Sequence, residues 1–293
     1  MHVALTGATG FVGSHILAEL QSHGHDVTAL VRDDQQAAIV AARGATPAVV
    51  DLYDASAVAA LFKGADAGVN VASPGDATTA DMDSAVADAA IDAFGASGKP
   101  YAHISGVWIY GDNTAITEGS PVKAPVLVAW WEPILRRLLD TRGMRGIVVV
   151  SSTAYGDGGG GVPGVLLGSP RDADGNLVMV GSGRQHWSSV HVADLAAFFR
   201  LALEDESARG RYVIGNGLRP TVAELTEAAA VAVGAPGAVP GSDAEARGRL
   251  GAPFAEVLLL DQGTTATRAQ SELGWSPSRP GFVEDLREGS YRS

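Results

Sequence analysis

Short β-branched runs alternate with Ala-rich stretches through the first half of the chain, an alternation that predicts strands and helices in turn. The strand candidates are residues 2–5, 26–31, 46–50, 67–71, 101–105 and 146–150. Between the first two, Val12, Ile16 and Leu20 recur at every fourth position, which places them on one helical face, and Gly24 ends that helix. A strand, helix and strand in about 30 residues is the size of a βαβ unit, and its repetition builds a parallel sheet covered by helices. The expected class is α/β with a doubly wound parallel sheet.

After Val150 the pattern changes. Residues 157–164 form a glycine-rich loop, and residues 169–183 are polar with turn residues. Residues 191–203 are apolar at helical spacing, and residues 211–214 read as another strand. Thr221 followed by Glu224 is a capping-box pair that opens a helix. Residues 234–241, rich in Gly, Ala and Pro, read as a loop or linker. The expected organisation is a nucleotide-binding domain over residues 1–158, with residues 188–216 returning to it, and a smaller substrate-binding cap formed mainly by residues 159–293.

Composition narrows the chemistry. The 293 residues include no Cys, which excludes a disulfide scaffold, a thiolate metal site and a Cys nucleophile. Asp and Glu number 33 against 21 Lys and Arg, for a net charge of −12, so no nucleic-acid partner is expected. The first residues lack a basic segment leading into an apolar stretch, and no apolar run approaches the ~18 residues of a membrane span. A cytoplasmic protein with no membrane partner is expected, acting as a monomer or homodimer on a small-molecule substrate.

The most informative segment is TGATGFVG, which follows the first strand and opens the first helix. Gly7, Gly10 and Gly13 suit a tight turn, a close approach of backbone to a pyrophosphate, and close helix–strand packing. Thr9, Phe11 and Val12 belong to the same turn, whose N–H groups at the helix N-terminus receive negative charge. Nineteen residues beyond Gly13, at the end of the second strand, stands Arg32, which favours the 2′-phosphate of NADP(H) over NAD(H). Asp33 is the alternative reading there, facing the ribose. Asp51 and Leu52, closing the third strand, are placed to meet the adenine edge, with a turn cap as the other reading of Asp51.

TGATGFVG, VRDD, DLYDASAVAALFKGAD, VNVAS, ISGVWIYG, STAYGDGGGG and SSVHVADLA follow in an order that resembles the extended short-chain dehydrogenases/reductases, the NAD(P)-dependent epimerase/dehydratase group. The resemblance runs from the first residue to LGWSPSRPGF near the end. It implies a Rossmann-type domain, a dinucleotide cleft lined by Asn70, Val71, Ala72 and Ser73, a catalytic serine at Ser105, and a nicotinamide and substrate border from Tyr155 to Gly161. The departure is in the proton-transfer pair. Members of that group carry a Tyr with Lys four residues later, and none of the six tyrosines here has one. The corresponding segment reads VLVAWWEPILRRLL, so the chain looks like an atypical member.

Reduction of an ordinary ketone leaves an alkoxide that needs a proton, and general acid assistance contributes about 10²–10⁴ in rate. His103, two residues before Ser105 on the same strand face, and Tyr110 are the candidate substitutes. The other route is a substrate that needs no acid, such as a quinone, an enone or an iminium ion. Trp108, Trp130 and Trp131 are candidate pocket walls, and His186 and Trp187 candidate substrate contacts, with a domain-interface role open for Trp187. His191 reads as a structural hydrogen-bonding residue, and no metal site is expected. The leading expectation is an NADP(H)-dependent reductase of a small, rather apolar carbonyl, enone, quinone or imine compound. The competing ones are a sugar-nucleotide epimerase or dehydratase and a non-catalytic NADP(H)-binding sensor or assembly protein.

Overall fold

Val3 and Leu5 pack on one side of the first strand and Ala4 on the other, the period-two division that makes a strand a two-faced element. The structure, a computed structural model, describes residues 1–292. The first half runs β1 (His2–Thr6), α1 (Phe11–Ser22), β2 (Asp26–Val31), α2 (Asp34–Ala42), β3 (Thr46–Val49), α3 (Ala55–Lys63), β4 (Ala67–Asn70), α4 (Thr79–Phe94) and β5 (Pro100–Gly106). It continues through β6 (Asn113–Ile116), α5 (Trp131–Asp140), β7 (Arg145–Ser151) and β8 (Thr153–Tyr155). The remainder comprises α6 (Gly161–Leu167), β9 (Leu177–Val178), β10 (Ser189–His191), α7 (Val192–Glu204), β11 (Gly210–Ile214) and α8 (Val222–Ala232). It closes with β12 (Ala238–Val239), α9 (Asp243–Leu250), α10 (Ala252–Leu258), β13 (Gln262–Thr264), α11 (Thr267–Leu273) and α12 (Phe282–Glu288).

Seven parallel strands form the main sheet in the order β11-β7-β5-β4-β1-β2-β3. The chain therefore leaves β1 towards one edge and, after β3, crosses to the other side. The reversal point lies between β1 and β4, where the carboxyl ends of the strands open a crevice. Both faces of the sheet are covered: Val3, Leu5, Val69, Ala102 and Val149 face the side of α1 and α7, while Ala4 and Tyr101 face α3 and α4. Each fully buried Val or Leu contributes roughly 1.5–3 kcal/mol, so these two layers carry most of the stability. Arg145 pins the sheet to α7, its guanidinium donating to the carbonyl oxygens of Ala202, Leu203, Asp205 and Ala208. Those carbonyls cluster where α7 ends, a site that favours a cation.

A second core joins α6, α8, α10 and α12 through Leu166, Leu225, Val257 and Leu286. The Thr221–Glu224 capping box is present at the start of α8. The chain after residue 159 is more interleaved than a simple cap: besides α7 and β11, Ala269 and Trp275 also belong to the main core, Trp275 donating to the Asp194 carbonyl at 2.8 Å. The stretch 234–241, expected as a loop, contains β12, because Ala238 and Val239 pair with Leu177 and Val178. No helix among the described residues is long and apolar enough to cross a membrane.

Candidate active site

The glycine turn is built by close packing. Gly7 has φ +76°, and a Cβ there would lie 2.8 Å from the Val71 carbonyl and the Ala72 nitrogen, so the turn after β1 presses on the chain leaving β4. A Cβ on Gly13 would fall 2.0 Å from the Gly7 oxygen, which is why α1 can lie so near β1. Gly10, by contrast, is exposed and meets only the Gly7 oxygen within 4 Å, leaving its outer side clear. It is the N-cap of α1 and supplies no side-chain cap, so the first-turn N–H groups at Phe11, Val12 and Gly13 receive none from it. This cradle fits a pyrophosphate, with Thr9 beside it.

Arg32 follows β2 on the same crevice edge. Its side chain is 74% exposed, and its one ion pair is with neighbouring Asp33 at 3.3 Å. Asp33 also caps α2, accepting from the Gln36 N–H at 2.8 Å. Asp51 and Leu52 follow β3, where Asp51 accepts from the Tyr53 N–H and Leu52 packs into the core beneath. Val71 and Ala72 are half-buried and Ser73 is exposed, beyond the end of β4.

At the end of β5 the sheet divides. The last register pair between β4 and β5 is Asn70 with His103, whereas β5 and β7 stay paired as far as Gly106 and Ser151. Ser105 therefore projects past the end of β4, into a cavity of about 330 Å³ lined also by Phe11, Val12, Trp108 and Trp131. Its Oγ is buried and has no hydrogen-bond partner among the described residues. A buried unpaired hydroxyl carries a desolvation cost of about 1–3 kcal/mol, which a ligand acceptor atom would relieve. The far wall is Gly160, Gly161 and Val162, together with Phe254 of α10. The cavity lining carries no charged side chain.

His103 is corrected by this geometry. It shares Ser105's strand face but lies under α4, fully buried, with Nε2 3.0 Å from Asp83 and Nδ1 3.1 Å from the Tyr101 hydroxyl. Asn70 links this group to Thr6, donating to Asp83 and accepting from the Thr6 hydroxyl at 2.5 Å. The network braces β1 against β4, and His103 does not reach the cavity. Tyr110 is likewise buried among Ile116, Val128 and Leu135, and burial raises the pKa of its phenol. Neither side chain lines the cavity.

The substrate-side expectations divide. Trp108 and Trp131 line the cavity. Trp130 instead packs beside Trp131, with ring centroids 5.0 Å apart. Tyr155 is buried, stacked on Phe282 at 4.6 Å, with its hydroxyl donating to the Pro280 carbonyl. His186 bonds Asp261 at 2.9 Å, and Trp187 is buried in the second core, donating to the Leu258 carbonyl. These three hold the C-terminal elements together rather than line the cavity. His191 caps α7 by accepting from the Ala193 N–H, and burial holds its pKa below the ordinary histidine value.

Ser151, Ser152, Thr153, Val162 and Phe254 line the cavity without having stood out in the sequence, and Phe254 lies farthest along the chain. It sits in a stretch rich in Ala, Pro and Gly with no motif around it, and only packing of α10 against the Val126–Val128 turn brings it to the cleft.

Comparison with known proteins agrees with the crevice geometry. The NAD dependent epimerase/dehydratase family profile matches residues 3–215. A crystal structure of the human epimerase family protein SDR39U1 with NADPH superposes with a TM-score of 0.76 at 25% identity, covering 99% of each chain. The Mus musculus SDR39U1 protein is 27% identical, over 98% of this chain and 99% of its own. A 3-diazoavenalumate denitrifying reductase from Streptomyces sp is also 27% identical, over 98% of this chain and 99% of its own. The chain belongs to the NAD dependent epimerase/dehydratase family.

Proposed function

We propose that the protein is an NADP(H)-dependent reductase of small, rather apolar carbonyl, enone, quinone or imine compounds. The observation that carries this reading is the uncharged cavity at the end of β5, with the unpartnered Ser105 hydroxyl as its buried polar group. The turn from Gly7 to Gly13 would hold the dinucleotide's pyrophosphate and Arg32 its 2′-phosphate, and the bound nicotinamide supplies hydride. The human relative's structure with NADPH and the Streptomyces protein's name as a reductase support the cofactor and the reaction class.

Ser105 donates a hydrogen bond to the acceptor's oxygen or nitrogen, stabilising charge that develops there. The lining offers no acid, so an acceptor whose reduced form is a stabilised anion or a neutral amine suits the site, and any further proton comes from water. A sugar nucleotide carries a diphosphate, and the lining has no cationic side chain to meet it.

The test is a panel assay following NADPH absorbance with unactivated ketones, quinones, enones and imines. Turnover of the activated acceptors, at least about tenfold above simple ketones, is expected. Preference for the simple ketones would overturn the acid-free reading, and tight NADPH binding without any turnover would overturn the reductase.

A further inference from the structure

Four aromatic side chains line the cavity: Phe11, Trp108, Trp131 and Phe254. Trp131 lies beside the end of β5, where a Cβ on Gly106 would sit 3.4 Å from its Cζ3. Trp108 meets Phe254 edge to face, with ring centroids 6.2 Å apart and planes at 70°. Beyond Val162, Phe254 is the one residue that reaches the lining.

The polar side is narrow. Ser151 donates to the Ser152 carbonyl, and the Ser152 hydroxyl is bonded to Ser188 and Thr264. Ser105 is left with a buried hydroxyl and no partner among the described residues, and Thr153 adds a half-buried hydroxyl to the lining, so the site offers few directed hydrogen bonds between apolar walls. The volume of about 330 Å³ lies near the lower end of the ~300–1,000 Å³ range of ligand pockets, and since a bound nicotinamide would share it with the acceptor, it leaves room for one or two fused rings.

Phe254 is placed to set that limit. It is half-buried on a seven-residue helix that starts at Gly251 (φ +79°), while its neighbours Ala255, Val257 and Leu258 are anchored in the second core. The helix is thus held from behind, and the phenyl ring is its contribution to the cleft.

We propose that the cavity selects flat, conjugated, uncharged acceptors of one or two rings, and that Phe254 is the residue that determines this size limit. The proposal rests on the reductase reading for its chemistry: the quinone accepts hydride from NADPH, which becomes NADP⁺, and the hydroquinone oxygen takes its balancing proton from water.

Two measurements test it. In the first, kcat/KM with NADPH is compared for 2-methyl-1,4-naphthoquinone and 9,10-phenanthrenequinone. Wild type is expected to favour the two-ring compound by about tenfold, and Phe254→Ala to erase or invert that ratio. In the second, the naphthoquinone is titrated by tryptophan fluorescence quenching without NADPH. Phe254→Ala is expected to weaken binding at least about fivefold, while Val231→Ala, at an exposed position on α8, leaves it unchanged. Saturable quenching that weakens in Phe254→Ala, with no turnover of either quinone, would support the slot while the reductase reading fails. No saturable quenching, or a Phe254→Ala variant of unchanged melting temperature with unaltered binding and ratio, would overturn the slot.

Discussion

The ring of Phe11 lies against Gly159 so closely that a Cβ on residue 159 would fall 2.5 Å from the phenyl Cε2. Phe11 opens α1 at the dinucleotide turn, and Gly159 belongs to the loop leading to the cavity wall. The loop is further tied to α1 by His15 and Asp157 at 2.8 Å. Tyr291 closes it from the C-terminal side, accepting from the Gly156 N–H and donating to the Gly159 carbonyl. The glycine turn and this loop are therefore packed as one unit. Gly159→Ala is expected to displace Phe11, destabilise the protein by about 1–3 kcal/mol and weaken NADPH binding about tenfold. Thermal unfolding and fluorescence titration measure both; wild-type binding would mean that the ring turns aside freely.

Gly13 and Gly24 form a contrasting pair. At residue 13 a Cβ would strike the Gly7 oxygen, while at residue 24 it would meet nothing within 4 Å, although φ is +79°. Gly13→Ala should lower NADPH affinity by roughly 10²-fold or more because the turn must move. Gly24→Ala should cost about 1 kcal/mol of stability through its backbone alone and leave the affinity unaltered. Equal effects on binding would remove the role assigned to Gly13.

Arg32 and its neighbour separate cofactor choice from helix capping. Arg32→Ala should reduce the preference for NADPH over NADH by about tenfold or more, acting on NADPH affinity. Asp33→Ala should remove the α2 cap and about 1 kcal/mol of stability without changing that preference. Calorimetric titration of both cofactors checks this, and a loss of NADH affinity in Asp33→Ala would return the ribose contact to that carboxylate.

Ser105→Ala removes the cavity's unpartnered hydroxyl. Because no protein hydrogen bond is lost, the melting temperature should stay the same or rise. Turnover of the preferred acceptor should fall about 10²–10³-fold, the usual effect of deleting a donor to a developing anion. Undiminished turnover would show that the acceptor does not bond this serine.

His191 predicts an acid-side loss of stability. Burial lowers its folded-state pKa below 6.5, so the unfolded chain binds more protons between the two values. Its contribution is complete above pH 6.5 and is lost as pH falls through that window. His191→Asn, which can still accept from the Ala193 N–H, should flatten the dependence of melting temperature on pH below 6.5. An unchanged slope would assign it to other groups.

Much of this was legible along the chain because the signals are local. The βαβ alternation, the glycine spacing, Arg32 after β2 and the Thr221 cap each depend on residues a few positions apart, and each element lies within a residue or so of its expectation. Ser105 and Trp108 lie at or just past the end of β5, a strand placed by the same periodicity, while Trp131 is marked by the segment that departs from the Tyr–Lys pattern. Phe254 left no such mark, since its place depends on α10 folding back across a long stretch of sequence.

His103 and Ser105 show where the division falls. The chain by itself determines that they share one face of a strand, because side-chain direction follows a period of two. It does not determine that β4 stops at the level of His103, or that α4 then covers that histidine with Asp83 while Ser105 extends into the opened crevice. Local periodicity decides the elements and the glycine turn; strand register and helix placement, which join distant residues through shared burial, decide which polar groups meet a ligand and which become part of the core.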